Sequence, residues 1–179
     1  MDAEAGVPGA GEEEVVDLVA FADQLAAGSR GRAAAEAVEE RTFVSFRLDR
    51  EEFGLPVASV REVLRVGEVT RVPQSPLHIR GVTNVRGSIL PVVEIRTRIG
   101  LAPLDPGPAA RIVVLEVGER ALGLLVDRVT NVVKLKATEI EPPPAEIVSA
   151  RTDYVVGVAK RPAGLLILLD PAKTLVVKP

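Results

Sequence analysis

The sequence predicts a mainly β protein: two similar small barrels behind a separate N-terminal extension. Three observations carry that prediction. From residue 41 onward apolar residues alternate with period two in short runs, glycine and proline clusters separate the runs, and the runs recur in the same order further along the chain. With 179 residues, 47% of them apolar and 26% charged, the chain can bury one substantial core or two small ones.

The first 40 residues follow a different grammar. Val15, Leu18, Val19, Ala22 and Leu25 fall at helical spacing, so Glu12 to Ala27 is expected to form an amphipathic helix. Glu12, Glu13 and Glu14 would occupy its first turn, where the helix dipole favours negative charge. Gly28-Ser29-Arg30-Gly31 reads as a break before an alanine-rich helical stretch, Arg32 to Glu40. Ten acidic side chains stand against two basic ones here, a net charge of −8, whereas residues 41–179 are net +5. Two readings of residues 1–40 stand side by side: a flexible tether, or a segment that docks on the basic region and tunes access of partners.

At Arg41 period two begins. Val44, Phe46 and Leu48 share one face of a predicted strand and Phe43, Ser45 and Arg47 the other; the chain turns through Asp49-Arg50-Glu51 into a second strand, Glu52 to Val57. Val60, Val63 and Leu64 suggest a short helix or helical turn over Ser59 to Arg65. Strands are expected at Val66–Val72, Gly81–Arg86 and Ser88–Val93, then a short helix from Glu94 to Ile99. The turn-rich connection Ala102–Ala110 holds Pro103, Pro106, Gly107 and Pro108.

After that connection the pattern returns. Phe46-Arg47-Leu48 and Phe53-Gly54-Leu55 find counterparts in Leu115-Glu116-Val117 and Leu122-Gly123-Leu124 at a constant offset of 69, which also brings Val60 onto Val129. Gly81-Val82, Ile89-Leu90 and Glu94 match Gly157-Val158, Leu165-Leu166 and Asp170 at an offset of 76. This is the signature of internal duplication. Two copies of four or five short strands predict two antiparallel barrels with a shared aliphatic contact, the division being 1–40 for the extension and 41–179 for the barrels.

Composition narrows function. No cysteine means no disulfide, thiolate zinc site or cysteine nucleophile, and the single histidine, His78, leaves few imidazoles for metal or acid–base work. Aromatic residues make up 3% of the chain, too few for a base-stacking platform. The longest dense aliphatic run, Leu165 to Leu169, is far short of a membrane span, and the acidic start does not resemble an export signal, so the cytoplasm is the expected compartment.

The segment GVTNVRGSILPVVEIRTRIG, Gly81 to Gly100, closely resembles the signature region of the CheW family, the bacterial chemotaxis coupling proteins. The resemblance covers about 135 residues. It takes in VASVREVL from Val57, VTRVPQSP from Val69, VGERALGLLVDRVTNVVKL from Val117 and GLLILLD from Gly164, and leaves out residues 1–40. It implies a cytoplasmic, non-enzymatic adaptor of two intertwined SH3-like five-stranded barrels, without cofactor or metal. Such an adaptor is expected to hold the regulatory domain of a CheA-type histidine kinase against the cytoplasmic tip of a methyl-accepting chemoreceptor, and so to be recruited to receptor arrays. His78, before a predicted strand, does not resemble a phosphoacceptor on a helical bundle.

The resemblance also assigns residues. Glu62, Gly81, Asn84, Arg86 and Gly87 are the expected receptor-binding set, with Glu62 and Arg86 as an orienting ion pair. Val44, Val57 and Val60 are the expected kinase-binding set. From chemistry alone Arg86 offers planar, multidentate donors, and Gly87 beside it can make a turn or bulge that redirects the side chain. Gly81 and Gly87 read either as backbone devices or as points where a receptor helix approaches closely.

Two other classes were weighed against this one. A net basic barrel region could serve a nucleic-acid-binding module, but its charge is dispersed and aromatic partners are scarce. Asp127 with Asp153, or Glu94 with Asp170, could be imagined as catalytic carboxylate pairs, but no nucleophile or phosphate loop accompanies them, and cap or turn roles suit them better.

Overall fold

Glu40–Leu48 forms strand β1, and both its faces are buried: Phe43 and Ser45 point one way, Val44, Phe46 and Leu48 the other. That double burial explains why its apolar residues run almost continuously instead of alternating cleanly. The computed structural model describes residues 39–147 and 152–175. After β1 come β2 (Glu51–Pro56), a 3-10 turn (Val57–Ser59), β3 (Val60–Arg65), β4 (Ile79–Val85), β5 (Ser88–Glu94) and α1 (Ile95–Arg98). The second half runs β6 (Arg111–Val117), β7 (Arg120–Val126), β8 (Arg128–Lys136), β9 (Ile140–Glu141), β10 (Val155–Arg161), β11 (Gly164–Leu169) and α2 (Pro171–Leu175), with 3-10 turns on both sides of β9.

The strands make two sheets, of order β8-β1-β2-β11-β10-β9 and β3-β6-β7-β5-β4. Each sheet draws on both halves of the chain. The hairpin β1–β2 sits in the six-stranded sheet while β3 crosses to pair with β6, and β8 returns from the second half to pair with β1. The duplication survives in fine detail. Ser45 opposes Asn131 next to a bulge at Thr130, and the counterpart pair, Val114 opposite Glu62, lies next to a bulge at Arg61. Glycine, lacking Cβ, sits where β2 and β7 each meet a parallel neighbour: Gly54 pairs with Leu168 and Gly123 with Val92.

The largest core cluster lies between the sheets. Val44, Phe46, Leu48, Phe53 and Leu55 from the first hairpin meet Val113, Leu115, Leu124 and Val126 from the second. Each sheet has a second, inner cluster of its own: Phe43, Leu166 and Leu168 in one, Leu90, Val92 and Ile112 in the other. At roughly 1.5–3 kcal/mol for each fully buried large aliphatic or aromatic side chain, the shared cluster is what holds two small sheets as one unit.

Three local expectations need correction. Ser59 to Arg65 is not helical: the 3-10 turn ends at Ser59 and Val60–Arg65 is β3. The three-residue spacing of its valines comes from that turn and from the bulge at Arg61, which shifts the inward parity. Val66–Val72 is no strand but a single bridge, Thr70 to Val82. The expected mainly β pair of small SH3-like units is present, as sheets of six and five strands; β3 and β4, the edges of the smaller, share no ladder among the described residues. Glu40, assigned to a helical stretch, opens β1 opposite Lys136. The expected helix over 12–27 and the rest of the extension lie outside the described residues.

Candidate functional site

The β4–β5 hairpin turns on two residues, Arg86 and Gly87, with φ of 50° and 86°. Two consecutive left-handed residues define the type I′ turn, which fits the twist of a hairpin and favours glycine at its second position. Asn84 steadies it, its Oδ1 accepting the Gly87 N–H at 3.0 Å. Arg86 thus stands at a rigid hairpin tip with its side chain 67% exposed.

From there Arg86 Nη2 reaches Glu62 Oε2 at 3.0 Å. Glu62 lies on β3, one residue past the bulge, and its side chain is only 9% exposed. Because of the bulge Glu62 opposes Val114 of the inner cluster while Val60 opposes Leu115 of the central one, so the acid faces its own sheet's interior and not the space between the sheets. β3 and β4 are the two edges of the five-stranded sheet, so the ion pair spans the seam where a barrel would close. Beside it runs a groove of about 590 Å³, walled by Val63, Leu64, Val82, Val85 and Ile89, with Arg65 and Glu68 also lining it. Ile89 is exposed, and sequence reasoning missed it. The available signal was an isoleucine at an outward parity two residues past the turn glycine.

The structure therefore brings Glu62, Asn84, Arg86 and Gly87 together. Gly81 has another role: a Cβ there would lie 2.3 Å from the Thr70 carbonyl oxygen, so its open side is already filled by this chain's own backbone. Of the two readings given for Gly81, the backbone device alone already accounts for the glycine. Of the expected kinase-binding valines, Val44 is 0% and Val60 3% exposed, both in the central cluster, so neither side chain can touch a partner directly. Val57, in the 3-10 turn, keeps partial exposure.

Glu94, Asp127 and Asp170, three of the carboxylates considered for catalytic pairs, hold structure. Buried Glu94 accepts the Leu104 N–H and pairs with Arg80, which also reaches Asp105, so the connection between halves is tied down over β4 and β5. Asp127 accepts the Asp49 N–H and pairs with Arg96, and Asp170 caps α2 by accepting the Lys173 N–H. His78 sits in the turn before β4, where its carbonyl accepts the Glu94 N–H. Burial, and then the nearby Arg98 cation, lower its pKa, which favours the neutral imidazole.

A duplicated, intertwined pair of β sheets, with tied-down connections and a groove of apolar walls and charged rim at a sheet seam, is the frame of a binding module. The chain belongs to the CheW-like domain family, which it matches over residues 42–178. It is 35% identical over 133 residues to the chemotaxis protein CheW of Klebsiella aerogenes, covering 74% of this chain and 80% of the relative. Protein FrzA of Myxococcus xanthus is 33% identical over 127 residues, 71% of this chain and 79% of the relative. Among solved structures, the scaffolding protein TtCheW from Thermoanaerobacter tengcongensis superposes with a TM-score of 0.71 at 31% identity, over 78% of this chain and 90% of that one. The family's proteins are adaptors of bacterial chemotaxis that couple chemoreceptors to the kinase CheA, and the matches give no support to nucleic-acid binding.

Proposed function

We propose that this chain is a non-enzymatic scaffold of a chemosensory array, taking the cytoplasmic tip of a chemoreceptor in the groove beside Arg86 and docking the regulatory domain of a CheA-type kinase around Val57. The observation that carries the reading is the Glu62–Arg86 contact, set inside the family's signature segment and at the mouth of an apolar groove. A buried carboxylate fixes one edge of the guanidinium and leaves the remaining donors of an exposed head pointing outward, which is an efficient way to orient a cation for a partner. A helix is about 10 Å across, so a groove of this size takes the side chains of one helix face while the helix body rests on the rim.

For the kinase, burial of Val44 and Val60 transfers the docking role to what surrounds them: partly exposed Val57 and exposed Ala58 in the 3-10 turn. A regulatory domain of the same fold, as the resemblance implies, would meet this turn as one barrel end meets another. Recruitment to the membrane-bound array would run through the receptor; among the described residues no helix is long and apolar enough to cross a bilayer.

Reconstitution tests the reading. Kinase autophosphorylation is measured with receptor and kinase, with and without this chain. Stimulation that requires the chain and falls with Arg86→Glu is expected; equal kinase activity with and without it would remove the coupling function.

A further inference from the structure

The two halves of the duplication close their sheets with opposite chemistry. In the five-stranded sheet the inner cluster includes Val114 of β6, Ala121 of β7 and Val85 of β4. Their counterparts at the offsets of the repeat are Ser45 of β1, Glu52 of β2 and Arg161 of β10. With Thr130 these form a polar chain of one buried and three partly buried side chains. Thr130, at the β8 bulge, donates its hydroxyl proton to Glu52 Oε1 at 2.8 Å; Ser45 Oγ lies 2.7 Å from the same hydroxyl and 3.1 Å from the Asn131 carbonyl oxygen, two acceptors for its single proton. Glu52 Oε2 pairs with Arg161 Nη2, the two side chains being 13% and 17% exposed. Four strands of the six-stranded sheet meet in this chain.

As a source of stability the arrangement is poor. Burying an ion pair carries a desolvation penalty that its attraction barely repays, and apolar groups of similar volume often do better. Arg161 Nε is buried with no hydrogen-bond partner among the described residues, which adds the penalty of an unmade bond. The other half of this molecule shows that the same layer of the same fold can be made with two valines and an alanine. A stability role would not select the polar version.

We infer that the Ser45–Thr130–Glu52–Arg161 chain is a device for conformational specificity, locking the β10–β11 hairpin and β8 onto β1–β2 in a single arrangement. In a duplicated chain β3 and β8 are interchangeable in backbone register beside β1 or β6, as the matching bulges show. Their side chains are not interchangeable in this network. Thr130 on β8 supplies the hydroxyl that links Ser45 to Glu52, whereas β3 carries Arg61 at the matching position. Only β8 completes the chain beside β1. Aliphatic contacts, being non-directional, would tolerate small shifts of the hairpin that hydrogen bonds reject.

The test exchanges the unit. A triple variant, Ser45→Val with Glu52→Ala and Arg161→Val, carries the residues of the other half; a second, Glu52→Gln with Arg161→Met, keeps the volume while neutralising the charges. Both are compared with the single variant Arg161→Val by thermal unfolding and by native-state hydrogen exchange, the β4–β5 hairpin serving as internal control. The single variant, leaving the largely enclosed Glu52 with the Thr130 hydroxyl but no counter-ion, is expected to lower the Tm by roughly 10 °C or more. At least one of the paired variants should stay within a few degrees of the parent, yet exchange its β10 and β11 amides about tenfold faster or more, with β4 and β5 unchanged. If both paired variants lose as much Tm as the single one, the chain is a stability element and the inference falls. Unchanged exchange in β10 and β11 would overturn it as well.

Discussion

Arg86 and Glu62 meet at 3.0 Å across the seam between the edge strands of the five-stranded sheet, which no ladder closes among the described residues, the arginine exposed and the glutamate buried. That asymmetry separates their roles. Glu62 is the fixed member and Arg86 the presented one, so changes at Arg86 should act on partner binding before they act on folding.

Arg86→Glu is therefore expected to leave the fold intact and to weaken receptor binding tenfold or more, about 1.4 kcal/mol. Arg86 is exposed, so its side of the pair is screened by solvent, but the change leaves the buried Glu62 facing a like charge, so a modest fall in Tm without unfolding is expected beside the weaker binding. Adding Glu62→Arg should restore part of the binding if the pair acts as a unit. Affinity for a receptor-tip fragment and the Tm of each variant check this; unchanged affinity in folded Arg86→Glu protein removes Arg86 from the site.

Val60→Asp and Val57→Asp should separate core from surface. Val60 lies in the central cluster, so a carboxylate there forfeits about 1.5–3 kcal/mol of aliphatic burial and adds an unpaired charge, enough to unfold a domain of marginal stability. Val57 is partly exposed three residues earlier, and its charged variant can stay wet in the free protein. Circular dichroism should show Val60→Asp largely unfolded. A kinase pull-down with folded Val57→Asp should show reduced capture, and normal capture would place the kinase surface elsewhere.

How much of this was legible follows from which forces act locally. The hairpins, the short helix after β5 and the duplication could be read because alternation, turn residues and constant offsets are properties of neighbouring residues. The strand β3 was misread because the bulge at Arg61 breaks the alternation, and a bulge depends on the partner strand. Burial of Val44 and Val60 was hidden for a related reason: β1 is covered on one face by its own sheet's interior and on the other by the second sheet, and a two-periodic pattern does not say that both faces are inside. The Glu62–Arg86 pair was reached only through the resemblance, since nothing in the 23 residues between them says that they meet. The Ser45–Glu52–Arg161 chain left no local signal at all.

Gly81→Ala should destabilise through the segment that replaced an expected strand. Its Cβ would lie 2.3 Å from the Thr70 carbonyl oxygen, and backbone cannot move aside as a side-chain tip can. Thr70 and Val82 exchange two backbone hydrogen bonds of 2.8 Å, and both should break. A loss of about 1–3 kcal/mol is expected, typical of overpacking, with faster exchange at the Thr70 and Val82 amides. Full stability and unchanged exchange would show that the segment yields freely.

The acid response should be set in part by Glu52. Burial pushes its pKa up, but the Thr130 hydroxyl and the Arg161 guanidinium outweigh burial and hold it below the ordinary value of 4.5. A carboxyl with a lower pKa folded than unfolded makes the unfolded chain bind more protons in that range, so stability rises with pH there. Its contribution is complete above the unfolded value and is lost as pH falls through the folded one. Glu52→Gln removes the titrating group while keeping an acceptor for Thr130, although it leaves Arg161 without its counter-ion. The variant should be less stable than the parent at pH 7, and the gap should narrow as both are taken down through pH 4.5 toward pH 3. Urea midpoints at several pH values measure it directly, and a gap constant from pH 7 to 3 would mean that Glu52 does not titrate with folding.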